Sequence, residues 1–180
     1  MSRYLEGDGM RRDKKLDTRY TVTMALLVSV AMICSYVESL IPPLVAVPGV
    51  KLGLANAVTL MCLYLVGTGS AVTVSLFRIG LSALLFGNPV SFIYSLAGGA
   101  LSLVGSVLLK KSGLFSPVGV SAVSGVLHNV GQMIAVSFVM SNAALMGYLP
   151  VLLISGTIAG VCVGLVSGFV IARLRGVIKK

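Results

Sequence analysis

Long apolar runs recur along the 180 residues, and short stretches rich in Gly, Pro and polar side chains separate them. The first run covers residues 20–41 and supplies the roughly 20 residues that an α-helix needs to cross a hydrocarbon core of about 30 Å. Pro42-Pro43 stops it. A shorter run, 54–66, is followed by Gly67-Thr68-Gly69 and a third run that ends at Phe86. The fourth spans 90–109, the fifth begins after Ser116-Pro117 and reaches Met140, and the sixth covers 145–172, with Pro150 placed to tilt or break it. The pattern predicts an all-α integral membrane protein, a six-transmembrane-helix bundle. Between the first two helices, PPLVAVPGVKLG (42–53) is too apolar for a plain solvated loop and is expected to fold over the membrane surface as a partly buried lid. Small residues four apart, Ala25 with Ser29 and Ala31 with Ser35, form two stripes on helix 1 where another helix could approach closely. Gly98-Gly99, Ser102 and Gly105 give helix 4 a thin face of the same kind.

Composition agrees with that pattern and adds an orientation. Hydrophobic residues make up 57% of the chain, only 11% is charged, and the mean hydropathy is +1.02, more apolar than a soluble core of this size can hide. The net charge of +9 does not form a nucleic-acid stripe, because the basic residues sit at three places outside the apolar runs. Arg3, Arg11, Arg12, Lys14, Lys15 and Arg19 precede helix 1, Lys110-Lys111 follow helix 4, and Arg173, Arg175, Lys179 and Lys180 end the chain. With six helices and a cytoplasmic N-terminus, twelve of these cations are cytoplasmic and Lys51 alone is external, Arg78 being intramembrane. The expected organisation is a basic cytoplasmic tail (1–20), a six-helix membrane domain (21–172) and a second basic cytoplasmic tail (173–180), multi-pass in the cytoplasmic membrane. The first run is a full span without a small-residue cleavage pattern, so it reads as a helix and not as a signal peptide. No internal repeat of the inverted-transporter kind is evident. Cys34, Cys62 and Cys162 lie singly in apolar segments and read as small packing residues.

Candidate chemistry centres on residues 70–106. Arg78 lies near the middle of helix 3, where a guanidinium costs roughly 2.5 to 3.5 kcal/mol on insertion scales and calls for a partner, cavity or ligand. It could pair with Glu38 or cap a helix end inside the bundle, but depth separates it from Glu38, and the expectation is that it forms the cationic floor of a pocket. Topology places Glu38 and Lys51 near the external surface, Asn56, Asn88, Ser91, Tyr94 and Ser95 in the outer half, and Arg78, His128, Asn129 and Gln132 nearer the middle. This concentration predicts a cavity open to the outside and a membrane-embedded substrate-binding subunit for uptake of a small anionic or amphipathic metabolite, energised by a partner. His128 and Gln132 share one face of helix 5, either bonding between helices or lining the cavity. A single His with no carboxylate or Cys cluster beside it does not make a metal site. Four of the five acidic residues (Glu6, Asp8, Asp13, Asp17) precede helix 1, leaving no acid pair, no Asp-rich magnesium site and no nucleotide-binding loop. The chain is therefore expected to be no enzyme, to use no cofactor, and to draw any transport energy from a partner or coupled ions.

Three ordered segments carry a family resemblance: VPGVKLGLANAVTL (47–60), FRIGLSALLFGNPVSFIYSLAGGALS (77–102) and SGVLHNVGQMIA (124–135). Over residues 20–172 the chain resembles the Gx transporter family, also labelled heptaprenyl diphosphate synthase component I. That family is similar in fold to the substrate-binding S components of energy-coupling factor vitamin transporters, which capture a micronutrient from outside and dock through helix 1 on a transmembrane coupling protein bound to two ATPases. The resemblance implies that Lys51, Asn56, Arg78, Asn88, Ser91, Tyr94, His128 and Gln132 form a ligand pocket. It implies docking through Ala25, Ser29, Ala31 and Ser35. The synthase label implies the alternative, a non-catalytic membrane component associated with heptaprenyl diphosphate synthesis.

Overall fold

The computed structural model describes residues 3–40 and 53–178, with side chains for 18–40, 53–142 and 144–175. Most of the expected lid, Lys51 included, lies outside the described residues. Among the described residues there are six α-helices and no strand: α1 (Arg3–Leu40), α2 (Leu54–Leu65), α3 (Thr68–Phe86), α4 (Pro89–Ser112), α5 (Pro117–Val139) and α6 (Leu149–Ile178), with a 3₁₀ segment at Ala143–Tyr148. In hydrocarbon every backbone N–H and C=O must be satisfied within the segment, which a helix achieves. Five helices are long and apolar enough to cross a membrane, whereas α2, with 12 residues, is too short to do so by itself. The protein is a multi-pass membrane protein. Its outer surface supports this: Leu84, Phe138 and Leu108 are 83%, 85% and 62% exposed, an apolar surface that water would penalise and lipid covers.

Two boundaries differ from the apolar pattern. Residues 3–20, expected as a solvated tail, belong to α1, whose apolar span is Thr18–Leu40. Pro150 does not break α6; it lies in that helix's first turn, where its missing N–H is no loss, and the 3₁₀ segment takes up the preceding residues. The other starts have chemical causes. Ser116 caps α5 by accepting from the Gly119 N–H at 3.3 Å, and Pro117 follows at the first helical position.

The bundle has two parts. In the first, Met24 and Ala31 of α1 pack with Val58, Cys62 and Leu63 of α2 and Ala71 and Val74 of α3, and Leu103 and Val107 of α4 close the cluster. In the second, α5 lies between α4 and α6 and touches both extensively. Glycine makes that contact close. A Cβ on Gly131 would stand 2.8 Å from Ala97 O and 2.9 Å from Gly98 Cα, so α5 meets α4 backbone to backbone. A Cβ on Gly160 would stand 2.6 Å from Ser121 O and 2.8 Å from Ala122 Cα, so α6 meets α5 the same way. Such approaches favour helix association where lipid tails remove the hydrophobic driving force. Polar ties add to them: Asn129 Nδ2 donates to Leu152 O at 2.7 Å, and Ser102 and Ser124 share a hydrogen bond of 2.7 Å. At the end where α2, α4 and α6 finish, Lys110 Nζ donates to Leu63 O and lies 5.2 Å from the centre of the Tyr64 ring, with Arg175 5.8 Å away on the same ring.

Gly160→Ala is expected to destabilise the bundle by about 1–3 kcal/mol through overpacking. Gly80→Ala, where an added Cβ meets nothing within 4 Å, is expected to be neutral or slightly stabilising. Apparent melting temperatures of the two variants in the same detergent check the contrast.

Candidate functional site

Where the α1–α3 group meets the α4–α6 group, the packing leaves a cavity of about 290 Å³ to which all six helices contribute. It lies toward the end of the bundle where α1 finishes and α3 turns into α4. Its walls alternate small residues with polar ones. Ala55, Ala83, Gly125, Gly156 and Gly160 leave the space, and Asn56, Arg78, Tyr94, His128 and Gln132 fill its surface with hydrogen-bonding groups.

α5 contributes the most regular wall. Ser121, Ser124, His128 and Gln132 recur every three or four residues, which puts them on one helical face, and all four line the cavity. Gly98 of α4 sets how near that face comes: a Cβ there would stand 2.5 Å from Gln132 Cγ and 2.7 Å from His128 O. Gln132 is only 5% exposed, and neither its Oε1 nor its Nε2 has a partner among the described residues.

α3 supplies the cation and α1 the anion. Arg78 Nη2 donates to Asn56 Oδ1 at 3.4 Å, a long bond, and its buried Nε has no partner among the described residues. Glu38 lines the same cavity, and its Oε1 accepts from the backbone N–H of Gly53, at the start of α2. Gly53 holds a φ of 76°, a left-handed conformation that glycine adopts without strain and that turns the chain into α2. Ser35 Oγ, one turn back along α1, is a further buried cavity-wall atom without a partner among the described residues. Helices α1, α3 and α5 thus each bring unmatched hydrogen-bonding groups to one space.

At the rim, Asn88 and Ser91 satisfy each other. Asn88 Oδ1 accepts from the Ser91 N–H at 2.7 Å and Ser91 Oγ accepts from the Asn88 N–H at 3.1 Å, a capping box that starts α4. Their place at the mouth follows from ending one helix and starting the next.

Of the residues expected to form a pocket, Asn56, Arg78, Asn88, Ser91, Tyr94, His128 and Gln132 all line this cavity; Lys51 lies outside the described residues. The cavity also takes in Ser121, Ser124, Asn129 and Glu38. The two serines were detectable as the three-to-four spacing that leads into His128 and Gln132. Glu38, expected near the external surface, lines the wall at the end of α1 and accepts from the Gly53 N–H. The four small residues of α1 divide. Ala25 and Ser29 are exposed, with Ser29 Oγ donating back to Ala25 O at 2.8 Å. Ala31 is wholly buried in the α1–α3 core, and Ser35 lines the cavity.

Comparison with known proteins finds that the family described as heptaprenyl diphosphate synthase component I matches residues 27–170. No curated protein and no solved structure matches the chain.

The rim contacts predict that Asn88→Ala lowers stability by about 1 kcal/mol through loss of the cap, while Asn88→Asp, which keeps the acceptor, stays near the parent. Paired melting measurements in detergent check it.

Proposed function

Because the chain belongs to the heptaprenyl diphosphate synthase component I family and encloses a polar cavity in an apolar bundle, we propose that it is a membrane-embedded binding subunit for uptake of a small metabolite bearing an anionic group. The observation that carries this reading is the set of buried polar atoms without partners among the described residues, Arg78 Nε, Gln132 Oε1 and Nε2, and Ser35 Oγ, on three walls of one space. A buried polar group without a hydrogen bond costs on the order of 1–3 kcal/mol, and several facing one cavity are matched by a ligand that bonds them together. Arg78 binds the anionic group, His128 and Gln132 add neutral hydrogen bonds, and Asn56 orients the guanidinium from behind.

The distribution of basic residues supports cytoplasmic termini in the cytoplasmic membrane, with six helices counting α2, so that the cavity faces outward. The binding subunit is not an enzyme: Glu38 is the single carboxylate beyond the first seventeen residues, and one carboxylate held on a backbone N–H supplies neither an acid–base pair nor a magnesium site. It has no nucleotide-binding loop, so uptake against a gradient draws on a partner, for which a transmembrane coupling protein with ATPase subunits is the candidate. The exposed Ala25–Ser29 stripe is the part of α1 left for docking, since Ala31 and Ser35 are turned to the interior.

The family's description favours a second reading, a non-catalytic membrane component of prenyl diphosphate synthesis. Arg78 suits a diphosphate head, but a tail of seven isoprene units is far larger than the cavity. That reading predicts a stable complex with a soluble Asp-rich synthase, and affinity purification that recovers ATPase subunits and no synthase would end it.

Native mass spectrometry of gently purified protein is expected to show a retained small molecule, and Arg78→Ala is expected to abolish both its retention and cellular uptake at unchanged protein level. Absence of any retained molecule, together with normal uptake by the Arg78→Ala variant, would overturn the binding-subunit reading in favour of a structural membrane component.

A further inference from the structure

The two formal charges on the cavity walls point to more than an anion site. Arg78 reaches the space from α3 and Glu38 from α1, and each is anchored on a neighbour: Arg78 Nη2 on Asn56 Oδ1, Glu38 Oε1 on the Gly53 N–H. A carboxylate has two oxygens and several acceptor positions, so one backbone bond leaves capacity for a cationic donor. A guanidinium has five N–H groups, and the long bond to Asn56 uses one of them. We infer that the ligand is a compact zwitterion, one small molecule carrying both a carboxylate and an ammonium group, with its carboxylate at Arg78 and its ammonium at Glu38. This inference rests on the binding-subunit reading and narrows its ligand class.

Charge balance carries the argument. A purely anionic ligand would compensate Arg78 and leave the Glu38 carboxylate facing added negative charge in a space walled by apolar helices, where an uncompensated charge is costly. A purely cationic ligand would reverse the problem and strand Arg78. A zwitterion compensates both walls and adds no net charge to the bundle. The remaining features fit the same class. Gln132 offers one unmatched acceptor and one unmatched donor, so it bonds an ammonium and a carboxylate with equal ease. A cavity of about 290 Å³ suits a compact molecule.

The test uses the full-length protein in lipid nanodiscs and three sets of probes: free α- and ω-amino acids, their N-acetyl derivatives, which keep the carboxylate and lose the ammonium, and their methyl esters, which do the opposite. At least one free amino acid is expected to raise the melting temperature in a saturable way, with its N-acetyl and ester derivatives weaker by roughly tenfold or more, the size of a lost charged hydrogen bond. Glu38→Gln, which keeps an acceptor for the Gly53 N–H, is expected to erase the preference over the N-acetyl derivative and to retain the preference over the ester; Arg78→Gln is expected to do the reverse. Equal binding of parents and N-acetyl derivatives, or of parents and esters, overturns the zwitterion. Silence of every probe while native mass spectrometry still shows a retained molecule overturns the zwitterion and leaves the binding subunit standing. Silence of the probes with nothing retained removes both. If a variant fails to fold, the preferences of the parent protein decide alone.

Discussion

Backbone-to-backbone contact along α5 is the constraint from which the rest of this molecule follows. Gly131 brings one side of α5 against Ala97 and Gly98 of α4, and Gly156 and Gly160 bring α6 against the other. A helix clamped at two sides has little freedom to rotate about its axis. The face left over, carrying Ser121, Ser124, His128 and Gln132, is then fixed toward α1, α2 and α3. Those three helices pack through an apolar core around Val58, Cys62 and Leu63, which Leu103 and Val107 of α4 close on one side. The space left between that core and the wall of α5 is the cavity.

The same division explains how the chain carries charge inside an apolar protein. Interiors of membrane bundles accept ionised side chains where partners or a water-filled space offset desolvation. Arg78 is placed on the wall of such a space and is backed by Asn56, with Glu38 contributing the opposite sign from another helix. The carboxylate is tied to the chain reversal that begins α2, so the geometry of a turn and the electrostatics of the cavity are set by one bond, Glu38 to the Gly53 N–H. Away from the cavity the polar residues settle accounts locally: Ser29 bonds one turn back along α1, and Lys110 and Arg175 gather on Tyr64.

Much of this was legible in the amino-acid order because a membrane imposes blunt rules. Run lengths of apolar residues announced a bundle of six helices, of which five are long enough to span and α2 is not, and polar residues in those runs were few enough that each invited a reason. Arg78, His128 and Gln132 stood out on that ground and do line one space. What the order of residues did not reveal depends on rotation and approach. Ala31 and Ser35 sit four apart just as Ala25 and Ser29 do, yet a helix has one inward face, and only the packing of α1 on α2 and α3 decides which pair occupies it. The contact of Glu38 with Gly53 was hidden for a related reason: position along a helix can be counted, whereas the reach of a side chain across to a neighbouring segment cannot. The role of Asn88 was ambiguous until the helix start was known, since a cap and a ligand contact use the same amide.

A cavity to which every helix contributes lies between two groups that also meet directly, α2 against α6 and α3 against α4. Whatever occupies it touches both, so it acts as a keystone in the arch of the bundle. Occupancy and cohesion are then one thermodynamic quantity, since a molecule that binds the assembled state alone stabilises that state by mass action. The relation runs in reverse as well: anything that spreads the two groups apart, such as another membrane protein gripping α1, lowers the affinity for the occupant by the same free energy.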